Sequence, residues 1–348
     1  MKDAAEFLRG HSQALGEEII ARQYERQPEL WAAFGVKGRE KSTRDAVYLL
    51  SYLAEAIEAS DPILFGEYIR WLRVLLDGLH FPDEVLLQTI DCTRQVLVEQ
   101  LPPENRAAVL EVFEAAVQRS IPDQSYLASY LDGASALDDL ARRFQQALLA
   151  SDYRNAGKMI LDAVAGGTGV KDIYLQVFQR SQREIGRLWQ TNRISVAQEH
   201  YCSAATQTIM SQLYPHIFSG SPKNHKAVIA CISGELHEIG ARMVADFLEM
   251  QNWDTYFIGA NAPPGAIAQA VSSFQADVLA LSATMTFHTG TIRETINSVR
   301  TNPAIAGTRI LVGGYPFNLS SELWKRVGAD GYALDAQSAV REAERLVA

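Results

Sequence analysis

The chain has 348 residues, of which 47% are hydrophobic, so it is long enough for two or three domains that each bury a core. Its formal net charge of −9 argues against direct DNA binding, because phosphate contacts are made by clustered Lys and Arg. The opening "MKDAAEFLRG" has no apolar signal core and no apolar run reaches membrane-spanning length, so we expect a cytoplasmic protein without membrane contact.

Residues 1–125 have the pattern of helices throughout. "DAVYLLSYLAEAIEA" and "EYIRWLRVLLDGL" repeat apolar residues at helical spacing. Helix starts are predicted at Asp61-Pro62, Pro82-Asp83 and Pro102-Pro103. We therefore expect an all-α domain here, followed by a helical linker over residues 126–136.

Residues 137–220 contain four amphipathic segments joined by short connections. Gly166-Gly167 ends the second segment, and "TNRIS" separates the third from the fourth. Short connections between helices favour antiparallel neighbours, so the pattern predicts a four-helix bundle.

Residues 224–348 change period. Short apolar runs, "KAVIACIS", "DTYFIGA", "DVLALSA", "RILVGG" and "GYALD", alternate with helical stretches. This alternation predicts a parallel sheet with a flavodoxin-like or Rossmann-like strand order, so the fold class of the chain is α plus α/β.

The stretch "SGELHEIG" forms the first strand-to-helix loop of this sheet, where ligands bind in open α/β folds. The loop lacks the glycine pattern of a dinucleotide site and offers His237, with Glu235 two positions before it. A carboxylate bound to one imidazole nitrogen makes the other nitrogen a better metal donor. The alternative is a histidine that merely caps the following helix.

Small residues end the neighbouring strands of the predicted sheet. Ser282 and Thr284 follow the third strand, and Gly313 and Gly314 close the fourth. Because the carboxyl ends of parallel strands share one edge, these residues leave a slot beside the histidine loop. The alternative is ordinary close packing of strand ends.

These residues together resemble the cobalamin-binding module of methionine synthase, corrinoid carrier proteins and cobalamin photoreceptors. The family pattern of acid-x-His-x-x-Gly, Ser-x-Thr and Gly-Gly is matched by a set spread over the sheet region: Glu235, His237, Gly240, Ser282, Thr284, Gly313 and Gly314. The resemblance implies that His237 is the lower axial cobalt ligand and that the cofactor's nucleotide tail enters the slot. Glu at the acid position is usual among the photoreceptors, whereas methyl carriers usually have Asp.

The bundle carries a second resemblance. Trp189 is followed after nine residues by Glu199-His200, a spacing similar to that of the light-sensing cobalamin regulators of carotenoid genes. That resemblance implies that Trp189 packs over the 5′-deoxyadenosyl group, that Glu199 helps to hold it, and that His200 becomes the upper cobalt ligand after light. The alternative is that Trp189 is bundle core and Glu199-His200 is a helix-start pair.

The N-terminal region lacks a basic recognition helix and resembles the photocobilins, in which a globin-like helical domain with a bilin accompanies the cobalamin module. The resemblance implies a biliverdin near "YIRWLRVLLDGLHF", with four candidate contacts: Tyr68, Arg70, Arg73 and His80. Arginine suits the bilin propionates. The alternative is an aromatic stripe that is simply core. Cys92 could form a thioether with a bilin, although a buried helix cysteine is normally inert.

The resulting hypothesis is a light sensor, not an enzyme, that binds adenosylcobalamin and a second chromophore, biliverdin. Light would give bis-His cobalt through His237 and His200 and change the state of a homo-oligomer. The alternative is a corrinoid protein that carries a methyl group between methyltransferases; a third reading is a helical interaction protein without cofactor. No eightfold β-α repeat that would form a substrate barrel is visible in the sequence.

Overall fold

A computed structural model describes residues 1–32, 34–120, 128–133, 135–218 and 224–348. The chain divides into two compact units. Unit 1 contains Met1–Ser125, Met285–Gly290 and Leu319–Leu323, and unit 2 contains Tyr126–Thr284, Thr291–Asn318 and Trp324–Ala348. Within the described ranges, no helix is both long enough and apolar enough to cross a membrane.

The N-terminal part of unit 1 is helical, as its sequence predicts. Its helices are α1 (Lys2–Arg26), α2 (Pro28–Ala32), α3 (Gly35–Glu58), α4 (Pro62–Gly78), α5 (Asp83–Gln100) and α6 (Pro103–Ser120). Asp61 caps α4 by accepting a hydrogen bond from the Ile63 N–H at 3.1 Å, with Pro62 in the first position. Helix α5 differs, because Pro82 is its cap residue and Asp83 lies in the first turn.

Two short segments of the sheet region belong to unit 1. The Thr289 hydroxyl donates to the buried Glu55 carboxylate at 2.6 Å, and the Phe287 ring lies edge-on to Tyr52 with centroids 5.1 Å apart. The Ser320 hydroxyl donates to Asp61 at 2.6 Å. Burial raises the pKa of Glu55.

The first half of unit 2 consists of four helical segments. They are α7 (Asp138–Leu149), α8 (Tyr153–Ala165), α9 (Val170–Asp172) continued by a π-helix (Ile173–Phe178) and α10 (Gln179–Gln190), and α11 (Val196–Gln212). Ser195 opens α11 with a capping box shared with Gln198. The π-helix is absent from the sequence-based expectation because its hydrogen bonds span five residues instead of four over only six residues, which is too short a stretch to change the helical hydrophobic pattern.

The segment before α7 differs from expectation. Residues 128–133 and 135–136 form turns and extended backbone rather than a helical linker, while residues 126, 127 and 134 lie outside the described part of the chain. The Ser129 and Ser135 hydroxyls accept from the N–H groups two residues on, at 3.1 and 3.3 Å. Such local bonds compete with helix formation.

The second half of unit 2 is the predicted parallel sheet. Its strands are β1 (Lys226–Ile232), β2 (Asp254–Ala262), β3 (Val278–Ser282), β4 (Arg309–Gly313) and β5 (Gly331–Ala333), in the flavodoxin-like order β2-β1-β3-β4-β5. The intervening helices are α12 (Ile239–Glu249), α13 (Pro264–Phe274), α14 (Thr289–Arg300), α15 (Tyr315–Leu319), α16 (Leu323–Arg326) and α17 (Ala336–Val347). The order reverses between β1 and β3, so the loops after these strands flank the crevice where such folds bind ligands.

Helix α12 joins the sheet to the bundle. The Tyr174 hydroxyl, in the π-helix, donates to the buried Asp246 carboxylate at 2.7 Å. The Arg242 guanidinium donates to the Ser211 and Tyr214 hydroxyls at 2.7 and 3.0 Å. Burial raises the pKa of Asp246 to about 6.

Candidate functional site

The loop between β1 and α12 presents an imidazole supported by a buried carboxylate. The His237 Nδ1 lies 2.5 Å from Glu235 Oε1, and the same oxygen accepts from the His237 backbone N–H at 2.9 Å. The Glu235 side chain is fully buried, whereas 59% of the His237 side chain is exposed. Because Glu235 engages Nδ1, Nε2 is the nitrogen available to a metal.

Glu235 also ties this loop to the loop after β3. Its second oxygen, Oε2, accepts from the Thr284 backbone N–H at 2.6 Å. The two loops flank the reversal in strand order, so the carboxylate lies at the ligand-binding edge of the sheet. The hydrogen bond to Glu235 raises the pKa of His237, with a smaller contribution from the charge of Glu199.

The end of β2 holds the histidine loop from the other side. The Gly234 N–H donates to Asn261 Oδ1 at 2.8 Å, and the Asn261 N–H donates to the Glu235 carbonyl at 2.9 Å. The Ala260 N–H donates to the Glu238 carboxylate at 2.9 Å. Asn261 has φ +55°, a conformation that Asn tolerates better than most residues. The stretch "GANAPP" at the end of the second strand resembles the cobalamin-binding family, but neither Asn261 within it nor Glu238 is marked individually by the sequence.

The cysteines are buried thiols. Cys231, in β1, donates to the His237 carbonyl at 3.7 Å, and burial raises its pKa to about 12. Burial likewise raises the pKa of Cys92 and, to about 11, that of Cys202. A raised pKa disfavours the reactive thiolate, so the environment of Cys92 does not favour thioether formation.

The small residues at the ends of β3 and β4 pack tightly. Ser282 pairs with Gly313 across the two strands. Gly314 has φ +102°, and a Cβ on it would lie 1.9 Å from the Ala283 carbonyl oxygen. Only glycine permits this approach of the two strand ends. Close packing therefore accounts for the glycine at position 314. Because glycine has no side chain, position 314 adds none to the sheet edge beside Thr284.

The residues of the histidine loop fit an axial ligand set for a corrin-bound cobalt. One imidazole nitrogen is presented to solvent and the other is fixed by a carboxylate, which is the arrangement of a metal-binding histidine. A Cβ built on Gly240, three residues beyond His237, would meet nothing within 4 Å. There is thus open space around Gly240 at the start of α12.

The bundle carries a second carboxylate–imidazole pair. In the first turn of α11, His200 Nδ1 lies 2.5 Å from Glu199 Oε2, and the Ser203 hydroxyl donates to Glu199 Oε1 at 3.0 Å. The side chain of His200 is 74% exposed. Trp189 lies at the end of α10 and is half-buried.

The pair in the bundle and the histidine loop lie within electrostatic range of each other. The negative charge of Glu199 contributes to the raised pKa of His237, although the two residues are 38 positions apart in the sequence. The structure thus brings Glu235, His237 and Thr284 together in unit 2, and it places Glu199 close enough for its charge to act on His237. Ser282 joins them through its register with Cys231 and Gly313.

Three of the four bilin candidates lie on one helix of unit 1, α4, and the fourth, His80, follows its end. Tyr68 is buried and stacks on Tyr52 with ring centroids 4.0 Å apart. Arg70 forms an ion pair with Glu67 at 3.4 Å, and Arg73 is half-buried on the same helix. His80 lies two residues beyond the end of α4 at Gly78, which is itself roughly 15 Å along the axis from Tyr68 at the usual helical rise. The helix does not bring Tyr68 and His80 to one point.

Comparison with known proteins places two cobalamin-related regions in unit 2. Residues 225–342 match a family model described as B12 binding domain, and residues 140–214 match a second model with the same description. Dimethylamine corrinoid protein 1 of Methanosarcina acetivorans is 25% identical over 168 residues, which cover 47% of this chain and 78% of that protein.

Two further similarities bear on the site. HTH-type transcriptional repressor CarA of Myxococcus xanthus is 34% identical over 90 residues, covering 26% of this chain and 31% of that protein. The solved structure of the Methanosarcina barkeri monomethylamine corrinoid protein aligns with a TM-score of 0.54 and 18% identity, covering 61% of this chain and all of that one. That likeness shows the fold, and the family matches support a cobalamin-binding protein.

Proposed function

We propose that unit 2 binds a cobalamin between the bundle and the carboxyl edge of the sheet, with His237 as the lower axial ligand of cobalt. The observation that carries the proposal is the buried Glu235 carboxylate, which holds His237 Nδ1 and the Thr284 N–H at the reversal in strand order. Glu235 fixes the imidazole orientation, and the residues at the ends of β3 and β4 receive the nucleotide tail. Cobalamin, when bound, supplies a weak cobalt–carbon bond, and that chemistry is the cofactor's own.

The function favoured by the relatives is that of a corrinoid carrier, which presents a methyl group to a partner methyltransferase. The relatives that align over three quarters of their own length are named dimethylamine corrinoid proteins. The only sheet in the described part of the chain has five strands, and a carrier of this size needs a partner to supply the substrate site. In this role the chain binds and orients its cofactor, and Trp189 and Glu199 shield its upper face.

A light sensor is the second candidate, favoured by the exposed His200 beside Glu199 on α11 and by the 34% identity to the repressor CarA. In this reading the bound form is adenosylcobalamin, and Trp189 packs beside its upper group. Glu199 holds the His200 imidazole ready to take the upper position in the lit state. Association of the chain into homo-oligomers would then change with light.

A biliverdin bound by unit 1 would accompany the light-sensor function. Support comes from the two arginines on α4, Arg70 and Arg73, which suit propionate groups, and from the aromatic stack that Tyr68 forms with Tyr52. His80 lies two residues beyond the end of the same helix, so an elongated chromophore would have to run along α4 to reach from Tyr68 to His80.

One experiment tests the binding proposal. The full chain is incubated with hydroxocobalamin and passed through gel filtration, and the absorption spectrum of the protein peak is recorded. We expect corrin bands with wild type and with the control His225→Ala, whose imidazole lies at the opposite end of β1. His237→Ala should weaken binding by at least the roughly 10–100-fold that loss of an outer-shell partner costs, because it removes the proposed ligand itself. A colourless wild-type protein would refute cobalamin binding.

The same material separates the two functions. The chain is loaded with methylcobalamin or adenosylcobalamin in the dark, and biliverdin is added to a second portion. A carrier should transfer methyl groups in darkness when partner methyltransferases are supplied. A sensor should retain the adenosyl form in darkness and change both its spectrum and its elution volume after illumination. Bilin bands that co-elute with the protein would support a second chromophore, and their absence would remove it.

A further inference from the structure

Charged side chains on one face of helix α10 bind the linker segment before α7, residues 128–133. Arg180, Glu184 and Arg187 follow each other at intervals of four and three residues, which places them on the same side of the helix. The Arg180 Nε–H donates to the Tyr130 carbonyl at 3.0 Å, and the Tyr130 N–H donates to Glu184 Oε2 at 3.0 Å. The backbone of Tyr130 is therefore held at both its donor and its acceptor.

The centre of this contact is a buried ion pair. The Arg187 guanidinium donates to both oxygens of Glu184, from Nε at 2.9 Å and from Nη2 at 2.6 Å. Each side chain is only 5% exposed. Arg180 adds a second buried ion pair, with Asp138 at the start of α7.

Buried ion pairs of this kind contribute little net stability, because desolvation of both charges offsets their attraction. Their best-attested effect is to fix one register out of several. Glu184 thus specifies how the linker lies against α10. Replacing the whole pair by apolar residues would change the stability of the bundle little, but removing Glu184 alone would leave the buried Arg187 charge without this partner and be strongly destabilising.

The same helix carries Trp189, two residues after Arg187 and five after Glu184. We propose that Glu184 is a positioning residue that sets the rotation of α10, and hence how closely Trp189 covers the upper face of the bound cobalamin. Residues 128–133 follow the N-terminal segment of unit 1 along the chain. A displacement of this segment would act on Glu184 and so change how closely Trp189 covers the cobalamin. The inference rests on the proposed cobalamin site for the role of Trp189, but not for the contacts of Glu184.

The test uses the full chain with three substitutions. Glu184→Ala removes the acceptor, and Glu184→Gln keeps its size and one oxygen but loses the charge. The matched control is Asp139→Ala, which breaks an exposed ion pair with Arg143 at 3.4 Å on the neighbouring helix α7. Far-UV circular dichroism verifies that each variant is folded.

The first readout needs no cofactor. Acrylamide quenching of Trp189 fluorescence is obtained as the difference between each protein and its counterpart that also carries Trp189→Phe. We expect Glu184→Ala to raise the quenching constant roughly twofold, because a helix without its fixed contact samples open positions. Glu184→Gln should give a smaller rise, and Asp139→Ala none.

The second readout is the rate at which cyanide replaces the upper ligand of bound hydroxocobalamin. We expect a rate roughly 10-fold higher in Glu184→Ala, in the range of other supporting-residue effects at metal sites. Equal values for Glu184→Ala and Asp139→Ala in both readouts would overturn the proposal. If Glu184→Ala does not fold, Glu184→Gln decides on the same two measurements. A wild-type protein that binds no cobalamin refutes the proposed function, while the quenching experiment still tests the role of Glu184.

Discussion

Two carboxylate–imidazole pairs lie in unit 2, and they differ in how they are held. In both pairs a glutamate oxygen lies 2.5 Å from the histidine Nδ1. Glu235 is fully buried and also accepts hydrogen bonds from the backbone N–H groups of His237 and Thr284. Glu199 is 24% exposed and accepts a hydrogen bond from the Ser203 hydroxyl. The chemistry of the two imidazoles is the same, and only their surroundings differ.

The difference follows from the local backbone. Glu235 and His237 are separated by one residue in an irregular loop that β2 and β3 fix from both sides, through Asn261 and Thr284. Glu199 and His200 are adjacent in the first turn of a helix, where neighbouring side chains diverge unless one bends back. The loop therefore fixes its imidazole before a ligand arrives, and the helix leaves its imidazole free to change partner.

This contrast indicates two roles at one site. A preorganised imidazole is suited to a permanent metal bond, and an exchangeable one to a state that forms only under certain conditions. If the proposed cobalamin site is right, we expect His237 to hold the lower position in every state of the protein. His200 is the residue whose role depends on whether the chain is a carrier or a sensor.

Among the variants that compare the two pairs, the largest effect should come from neutralising the buried carboxylate. We expect Glu235→Gln to weaken cobalamin binding about 10–100-fold, because the amide cannot enforce the same imidazole orientation. The matched Glu199→Gln should change affinity less than about fivefold, since an exposed charge pair contributes up to about 1 kcal/mol. Equilibrium dialysis with hydroxocobalamin measures both constants. Equal losses in the two variants would mean that burial does not distinguish the pairs.

The next largest effect should be on the pH dependence of stability, and it should come from Asp246, a buried acid that is not paired with a histidine. Burial raises the pKa of Asp246 to about 6, above its ordinary value, so the folded state binds the extra proton between about pH 4 and 6. The stability linked to that proton is present below this window and is lost as the pH rises through 6. We expect Asp246→Asn, which can still accept from the Tyr174 hydroxyl, to gain about 2–3 kcal/mol relative to wild type between pH 4 and pH 7.

Urea denaturation at a series of pH values measures this difference. The control is Asp254→Asn, which alters an exposed carboxylate at the start of β2. Its stability relative to wild type should not vary over the same range. A pH-independent difference for Asp246→Asn would show that the carboxylate is already well solvated in the folded protein.

Removing the Asn261 side chain, which holds the histidine loop against the end of β2, should have a smaller effect on stability. We expect Asn261→Ala to lower the free energy of unfolding by about 1–2 kcal/mol, because it removes the acceptor for Gly234 and leaves alanine at φ +55°. Asn261→Gly relieves the backbone strain but not the lost bond, so it should fall between wild type and the alanine variant. Denaturant titration separates them. If alanine and glycine variants are equally stable, the conformation of this residue carries no cost.

The sequence predicts the framework of the site because strand and helix periods are local properties. Five apolar runs became the five strands, and the position of His237 after the first strand placed it at the ligand-binding edge. The motif residues Glu235 and His237 were expected to converge, and the structure shows that hydrogen bond.

Features that depend on distant parts of the chain were not predictable in this way. The Thr284 N–H bond to Glu235 and the Asn261 bond to Gly234 join residues 49 and 27 positions apart, and their backbone groups leave no mark on composition. The burial of Glu184 with Arg187 was also missed, because a charged pair at helical spacing is normally an exposed one. The turns at residues 128–133 replaced an expected helix because serine hydroxyls bond to the local backbone.

The smallest effect in darkness should come from His200→Ala. Its exposed side chain makes no bond that positions His237, so the dark affinity for cobalamin should change less than about fivefold. The control is His216→Ala, another exposed imidazole of the bundle region. In a sensor, only His200→Ala should alter the spectrum after illumination, because the lit state loses its upper imidazole. In a carrier the two variants and wild type should be indistinguishable in light. A large loss of dark affinity in His200→Ala would mean that both carboxylate–imidazole pairs are preorganised, and the contrast between a fixed and an exchangeable imidazole would be wrong.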